Sequence, residues 1–473
     1  MHSLATQILF AAETPDVPGW VTYLFAAILA VMISALALEE KIHARKSIIV
    51  GAFAGLCLIL ETVLAYFLDT KLVPFGKIEL PNHHMIELPV YVPAIDWGVI
   101  TIILGASLFV EVTSRSGVFT WMAIKLTKKS GGDPWRLLIA YGALTVLFSA
   151  VLNNVTAMII IGSLTSVSLR KLNRTDLLLG FLVTEGLLTN VGGLLTLISS
   201  VPNIIVGNTA GISFGRFFLI AAPYVAIATA VTLFMAKWKF GITALKTDEE
   251  RQAARELVST FDENEGVPSN RFFWFAVAVL GAFILSLAGQ KQLPWNLDEL
   301  GMGFIALFFA GVMLLAYKHE VDKFYAAVDW DLLAFFAGLF VVINMMEHAA
   351  VLELIGDGIA AILELPAAAA SSLLLVSSAI ASSVTDNIPL AAMLAKILHA
   401  SETPGESPFW WCVIFGANLG GNITPIGSAS TVVAMTLIHR QNLEMTFVGF
   451  VKLAALFAAV QIALAVVYVL VVL

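Results

Sequence analysis

Two short patterns of amide, hydroxyl and glycine residues each occur twice in this chain. The first is Ser149-Ala-Val-Leu-Asn153-Asn154-Val-Thr156, matched by Ser382-Ser383-Val-Thr385-Asp386-Asn387-Ile-Pro389. The second is Asn190-Val-Gly192-Gly193-Leu-Leu-Thr196, continuing to Ser199-Ser200-Val-Pro202-Asn203, matched by Asn418-Leu-Gly420-Gly421-Asn422-Ile-Thr424-Pro425-Ile-Gly427-Ser428. Paired glycines and prolines end helices and free backbone carbonyls. With Asn, Ser and Thr oxygens, these carbonyls can replace the water around a hard cation. Half-helix N-termini at the same place offer N–H groups to an anion, so the pattern leaves the sign of a ligand open. In a membrane helix such residues also serve close packing and interhelical hydrogen bonding. Both patterns standing in both halves favours a binding site at Asn153, Asn154, Thr156, Asn190, Gly192, Gly193, Thr196, Asp386, Asn387, Asn418, Gly420, Gly421, Asn422, Thr424 and Ser428.

Acids within apolar runs are the sharper clue, because each costs several kcal/mol in a membrane unless compensated. Asp386 falls in the second copy of the first pattern, and Glu185 lies five residues before Asn190. Both are candidates for carrying a proton, and Asn154, Asp386 and Asn387 form a candidate ligand set for Na⁺. Glu61 and Glu111 read as structural, His83-His84 as a solvated pair, and His43 and His348 as helix-end histidines. Cys57 and Cys412 lie in apolar runs and read as small buried hydrophobes rather than a disulfide or metal pair. No HExxH, nucleophile elbow or P-loop is present, so neither an enzyme nor a bound cofactor is expected.

The elements that must hold these residues are membrane helices. Of 473 residues 59% are hydrophobic and 13% charged, and mean hydropathy is +0.90; soluble chains carry about 25% charged residues. Apolar runs of about 20 residues recur, each long enough to cross a hydrocarbon core of about 30 Å. The first 19 residues have no basic n-region, so neither a signal nor a transit peptide is expected. All 26 lysines and arginines except Lys71, Lys77, Arg216, Lys291 and Lys396 can be placed on one side, which the positive-inside rule makes the cytoplasm. The stretch 137–169 then has cations at both ends that belong on that side. A re-entrant hairpin turning at Asn153 satisfies them, with its tip buried in protein or lining a watery cavity.

Shifting the chain on itself by 233 residues brings Asp96-Trp97 onto Asp329-Trp330, Ser149 onto Ser382 and Asn154 onto Asn387. After a five-residue adjustment Asn190 meets Asn418 and Gly192-Gly193 meets Gly420-Gly421. One copy enters from outside and the other from the cytoplasm, so these are inverted repeats. The expected fold is an all-α membrane protein of two inverted-topology repeats with re-entrant hairpins and broken transmembrane helices. Residues 1–95 are N-terminal scaffold helices. Residues 96–238 are repeat 1, with hairpin 137–169 and broken helix 176–206. Residues 239–327 are a cytoplasmic linker, solvated over 239–270, plus two connecting helices. Residues 328–473 are repeat 2, with hairpin 367–400, broken helix 409–438 and a final helix.

At these motifs the sequence resembles the ion transporter superfamily of ArsB, NhaD and CitMHS-like proteins. That group includes NhaD sodium/proton antiporters, ArsB arsenite permeases, the melanosomal P protein and the dicarboxylate/sodium symporters. The resemblance covers roughly residues 96–452, and Glu39-Glu40-Lys-Ile-His43-Ala-Arg45-Lys46-Ser47 also looks NhaD-like. It implies a homodimer in a bacterial inner membrane, with hairpins and broken helices moving like an elevator against a scaffold. Its partners would be the lipid bilayer and a small ion, with no nucleic acid. Two departures stand out: NhaD-like relatives usually carry Asp-Asn where this chain has Asn153-Asn154, and many relatives read Gly-Asp where it has Ser199-Ser200. The expected function is a secondary Na⁺(Li⁺)/H⁺ antiporter working by alternating access. The alternative is an anion permease for an arsenite-, dicarboxylate- or citrate-like substrate.

Overall fold

The computed structural model describes residues 17–68, 77–79, 85–87, 89, 91–264, 266–290, 297–316 and 321–473. Lys71, His83, His84, Lys291 and Lys318 lie outside the described residues. In chain order the helices are α1 (Gly19–Ala37), α2 (Glu39–Ile42), α3 (Lys46–Leu68), α4 (Tyr91–Ala94), α5 (Trp97–Ser114), α6 (Val118–Ser130), α7 (Pro134–Val151) and α8 (Asn154–Lys171). There follow α9 (Leu178–Gly192), α10 (Val201–Thr209), α11 (Phe214–Lys239), α12 (Asp248–Ser259), α13 (Asn270–Ala288), α14 (Gly301–Ala316) and α15 (Val321–Ala327). The rest are α16 (Trp330–His348), α17 (Val351–Leu363), α18 (Ala367–Val384), α19 (Asn387–Ala400), α20 (Pro408–Gly420), α21 (Ala429–Arg440) and α22 (Phe447–Val472). Two three-residue strands, β1 (Lys77–Glu79) and β2 (Met85–Glu87), pair antiparallel before α4. Among the described residues nine helices are long and apolar enough to cross a membrane. The protein is a helical, multi-pass membrane protein.

The succession of elements repeats along the chain. Adding 233 to the bounds of α5, α6, α7, α8 and α11 lands on α16 to α19 and α22 within a few residues at each end. Capping explains why the copies start where they do. Ser213 Oγ accepts the Arg216 N–H at 3.3 Å at the head of α11, and Thr446 Oγ1 accepts the Gly449 N–H at 3.0 Å at the head of α22. The stretch 137–169 is two arms, α7 and α8, of 18 residues each, and Leu152 and Asn153 are all that separates them. At 1.5 Å per residue each arm is about 27 Å long. The matching hairpin, α18 and α19, turns at Thr385 and Asp386.

The chain forms two compact units. The first comprises residues 1–100 and 329–361. In it α3 packs along α16 and against α1, with Phe25, Met32 and Cys57 fully buried. Gly338 permits the close approach of α16, since a Cβ there would stand 3.2 Å from Val50 Cγ1. Ser47 Oγ donates to Asp331 across the same helix pair. Glu61 is buried within this unit.

The second unit holds residues 101–328 and 362–473, and with them both hairpins and both breaks. Glu111 pairs with Arg115 at 3.2 Å, one turn along its own helix. The polar stretch after α11 carries the helix α12, begun by a capping box of Thr247 and Glu250, and it is docked on the base of the first hairpin. Leu245 N–H donates to Asp133 Oδ2 at 2.8 Å, and the Lys171 ammonium lies 4.6 Å from the Phe261 ring centre. Lys128 and Glu263 form an ion pair, and Val258 and Phe261 are buried. The backbone of Gly266 approaches Gly117 so closely that a Cβ on Gly117, which has φ of 79°, would stand 2.1 Å from its carbonyl oxygen.

Two outcomes follow from this unit. Lys129 and Asn173 are exposed at the same end of the first hairpin, where a Cβ on Gly132 would meet Leu172 at 3.1 Å. Cysteines at 129 and 173 should therefore label from one face of the membrane, and labelling from opposite faces would contradict the hairpin. The hydrogen bond from Lys128 holds the Glu263 carboxyl below its ordinary value of 4.5. Its contribution to docking is present above that value and lost as the pH falls through the lowered one. An acid-stable protease should therefore cut α12 faster on acidification, and in Glu263→Gln already at neutral pH.

Candidate functional site

Each hairpin tip is tied to the break that follows it by the same two hydrogen bonds. Ser149 Oγ donates to Thr189 O at 2.6 Å, and Ser382 Oγ to Ala417 O at 2.6 Å. Thr196 Oγ1 donates to Ala150 O at 2.5 Å, and Thr424 Oγ1 to Ser383 O at 2.6 Å. Glycine makes this approach feasible. A Cβ on Gly192 would lie 2.7 Å from Val146 Cα, and one on Gly420 would lie 2.2 Å from Ala379 O. Both helices that precede the breaks therefore lie backbone to backbone against a hairpin arm.

The breaks themselves, Gly193–Ser200 and Gly421–Ser428, meet each other through side-chain amides. Asn190 Nδ2 donates to Asn422 Oδ1 at 2.8 Å and to Ser428 Oγ at 2.9 Å. Asn418 Nδ2 donates to Asn203 Oδ1 at 2.9 Å, while its Oδ1 accepts from Ser200 Oγ at 2.7 Å. Asn203 Nδ2 turns back to Gly193 O at 2.6 Å and Thr196 O at 3.0 Å, covering carbonyls that the break releases. Asn190, Asn203, Asn418 and Asn422 are all fully buried. Their polar atoms bind one half of the protein to the other, so they act first as a clamp. The packing follows the same exchange: α10 lies on α19, and α21 lies on α8.

The hairpin tips are more open. Asn153 is exposed, and Asn154, Thr156, Asp386 and Asn387 are half-buried. Asn153 Oδ1 caps α8 by accepting the Thr156 N–H at 2.7 Å, and Asp386 Oδ1 caps α19 by accepting the Ile388 N–H at 3.1 Å. Both are good N-cap residues, and an anionic cap gains from the helix dipole. Asn154 rests against Gly193, where a Cβ would stand 2.7 Å from its Oδ1, and shares the Ser149 hydroxyl proton with Thr189 O, its Oδ1 lying 2.6 Å from Ser149 Oγ. Its Nδ2 faces Asn190 Oδ1 at 3.4 Å. The structure thus gathers the sequence-identified residues into one region, with the break amides inside and the tips accessible. Among the described residues no group of three His, Cys, Asp or Glu side chains forms a metal cluster.

Gln461 escapes the sequence patterns. It is buried in α22, accepts from Asn422 Nδ2 at 2.8 Å and donates to Thr232 Oγ1 at 2.9 Å. Its backbone carbonyl accepts from Tyr224 OH at 2.9 Å. A lone amide midway along a 26-residue apolar helix was the available signal. Ser430, which donates to Asn190 Oδ1 at 3.1 Å, and Thr431, which donates to Pro425 O at 3.0 Å, also belong to the clamp.

Paired helical hairpins and paired helix breaks, clamped together within a multi-pass chain, define a secondary transporter. The chain matches the family model described as citrate transporter, CitMHS, over residues 8–414. It belongs to that family. An uncharacterized transporter of Mycobacterium bovis is 29% identical over 379 residues, which are 79% of this chain and 86% of that one. The Homo sapiens P protein is 25% identical over 432 residues, which are 76% of this chain and 51% of that longer protein. The crystal structure of the Alcanivorax borkumensis YdaH transporter has a similar fold, with a TM-score of 0.58 over 90% of this chain and 98% of that one at 14% identity.

The tight glycine contacts carry a measurable cost. Gly420→Ala should lower stability by about 1–3 kcal/mol through overpacking, read as a fall in the thermal unfolding midpoint. Gly281→Ala should cause no such fall, because a Cβ at Gly281 meets nothing within 4 Å.

Proposed function

We propose that this transporter exchanges Na⁺ or Li⁺ for protons by alternating access, with Asp386 accepting either the metal ion or the proton. One observation carries the reading: Asp386 is the only ionisable side chain in the tip and break segments 149–156, 190–203, 382–389 and 418–428. A carboxylate on an accessible tip binds a hard cation or a proton, and the two compete. Asn154 and Asn387, the matching amides of the two tips, are the neutral oxygens proposed beside it. Fully buried and mutually bonded, the break amides are proposed to hold the two half-sites in register rather than to strip water from the ion. In this reading the halves are inverted repeats, and the hairpins and broken helices move as a unit against a scaffold in a homodimer.

A second reading, permeation of an anion such as arsenite, a dicarboxylate or citrate, is favoured by a different feature. The helices α8, α10, α19 and α21 all begin at the tips and breaks, so four positive dipole ends are directed at the region. The family's description as citrate transporters points the same way.

Proteoliposomes separate the two. With an imposed Na⁺ or Li⁺ gradient the native protein should move protons, and Asp386→Asn should abolish this while the protein remains folded in the membrane. The amide keeps the shape and one acceptor but neither titrates nor neutralises a cation. Sodium-driven proton movement retained in Asp386→Asn would remove the acid from the mechanism. Transport of arsenite or citrate by both proteins, without sodium-driven proton movement, would establish the anion reading.

A further inference from the structure

A second acid lies within the same unit, away from the tips. Glu185, in the middle of α9, is fully buried. Its Oε1 accepts from Thr165 Oγ1 of α8 at 2.5 Å, and its Oε2 has no hydrogen-bond partner. The position is about 7.5 Å along the helix from Asn190, at 1.5 Å per residue, so Glu185 stands behind the clamp rather than in it. An ionised carboxylate with one neutral hydrogen bond inside a membrane is costly, whereas a neutral acid is far less so.

The hydroxyls around it are ordered. Ser168, one turn beyond Thr165 on α8, has its Oγ 2.7 Å from Tyr141 OH. Tyr141 OH is in turn 2.6 Å from Thr127 Oγ1, in the last turn of α6 beside Lys128 and Lys129. Thr127, Tyr141 and Ser168 are all buried. They lead from the neighbourhood of Glu185 to the loop end of the first hairpin, the end opposite its tip. Tyr141 of α7 is the ionisable side chain that this hydroxyl series contains. On the other helices packed against α9, Arg170 and Lys171 of α8 and His439 and Arg440 of α21 stand exposed at the ends of their helices. Lys237 and Lys239 of α11 and Lys452 of α22 also lie toward helix ends, and Cys412 of α20 is buried.

We infer that Glu185 is a second proton-binding site, loaded and unloaded through the Tyr141 hydroxyl from the loop end of the first hairpin. The proton taken up bonds to the open Oε2. As it passes inward, Tyr141 gives up its own proton toward Ser168 and accepts another from the Thr127 side, so no charge is left on the phenol. The inference rests on the proposed proton coupling but not on sodium as the other ion, and it serves proton-linked movement of an anion equally well.

Infrared difference spectra of the purified full-length protein between acidic and alkaline buffer test it directly. A protonated-carboxyl band should be present, absent in Glu185→Gln and shifted in Thr165→Val, which keeps the acid but removes its hydrogen bond. Asp386→Asn should leave that band in place, so a failure of the sodium reading does not erase the signal. In proteoliposomes Tyr141→Phe should slow proton movement about tenfold, within the range of a lost acid–base group, with the KM for the co-transported ion unchanged. Spectra identical in the native protein and Glu185→Gln would overturn the site, and an undiminished proton rate in Tyr141→Phe would overturn the route.

Discussion

A helix that stops inside a membrane leaves peptide groups that lipid cannot satisfy, and every such group must find its partner within the protein. This chain stops two helices, at Gly192 and Gly420, and the rest of the second unit is arranged around that decision. The hairpins lie against the broken helices because hairpin serines and break threonines each donate to the other's backbone. The glycines precede the breaks because only hydrogen fits between two backbones at those distances. The asparagines cross from one break to the other because each has two donors and an acceptor, enough to cover its own side and reach the opposite one. None of the three groups is sufficient alone.

The clamp also sets the electrostatics. Its centre consists of amides and hydroxyls, with no charge of its own, and its dipoles are held in place by one another. The two acids nearest that centre stand apart from it, half-buried Asp386 on an accessible tip and buried Glu185 further back along α9. Gln461 and Thr232 extend the neutral network into the long helices α22 and α11, so that the break at Asn422 is held from behind. A change in the break is thereby felt along two helices that cross the membrane.

Much of this was legible in the sequence, because insertion into a membrane constrains sequence harshly. Apolar run length pointed to the helices, the cations at both ends of 137–169 to the first hairpin and the self-match at 233 residues to its counterpart; the arms lie within a few residues of 137–169 and 367–400. What the residue types concealed was the division of labour among identical amides. Asn154 and Asn190 look alike in a motif, and only the folded chain shows one half-buried on a tip and the other locked to Asn422. Gln461 was missed because its partners lie in segments remote along the chain. The polar stretch 239–270 reads as a solvated linker on composition, yet three buried side chains, Ile242, Val258 and Phe261, with an ion pair and a ring–cation contact, hold it against the first hairpin and α6. Such contacts have no local signature.

The two halves are alike in plan but not in detail at the tips. Asn154 leans on Gly193 and receives the Ser149 hydroxyl, whereas the matching glycine, Gly421, is faced by Ser428 and the Gly427 carbonyl of its own break. Were the halves interchangeable, swapping their environments would leave the energy unchanged, and a carrier built from them would rest equally on either side of the membrane. One hydrogen bond of difference, about 1 kcal/mol, is enough to skew such an equilibrium about fivefold. In the proposed alternating-access reading, the mismatch at Gly193 and Gly421 would give the molecule a preferred resting side before any gradient acts on it.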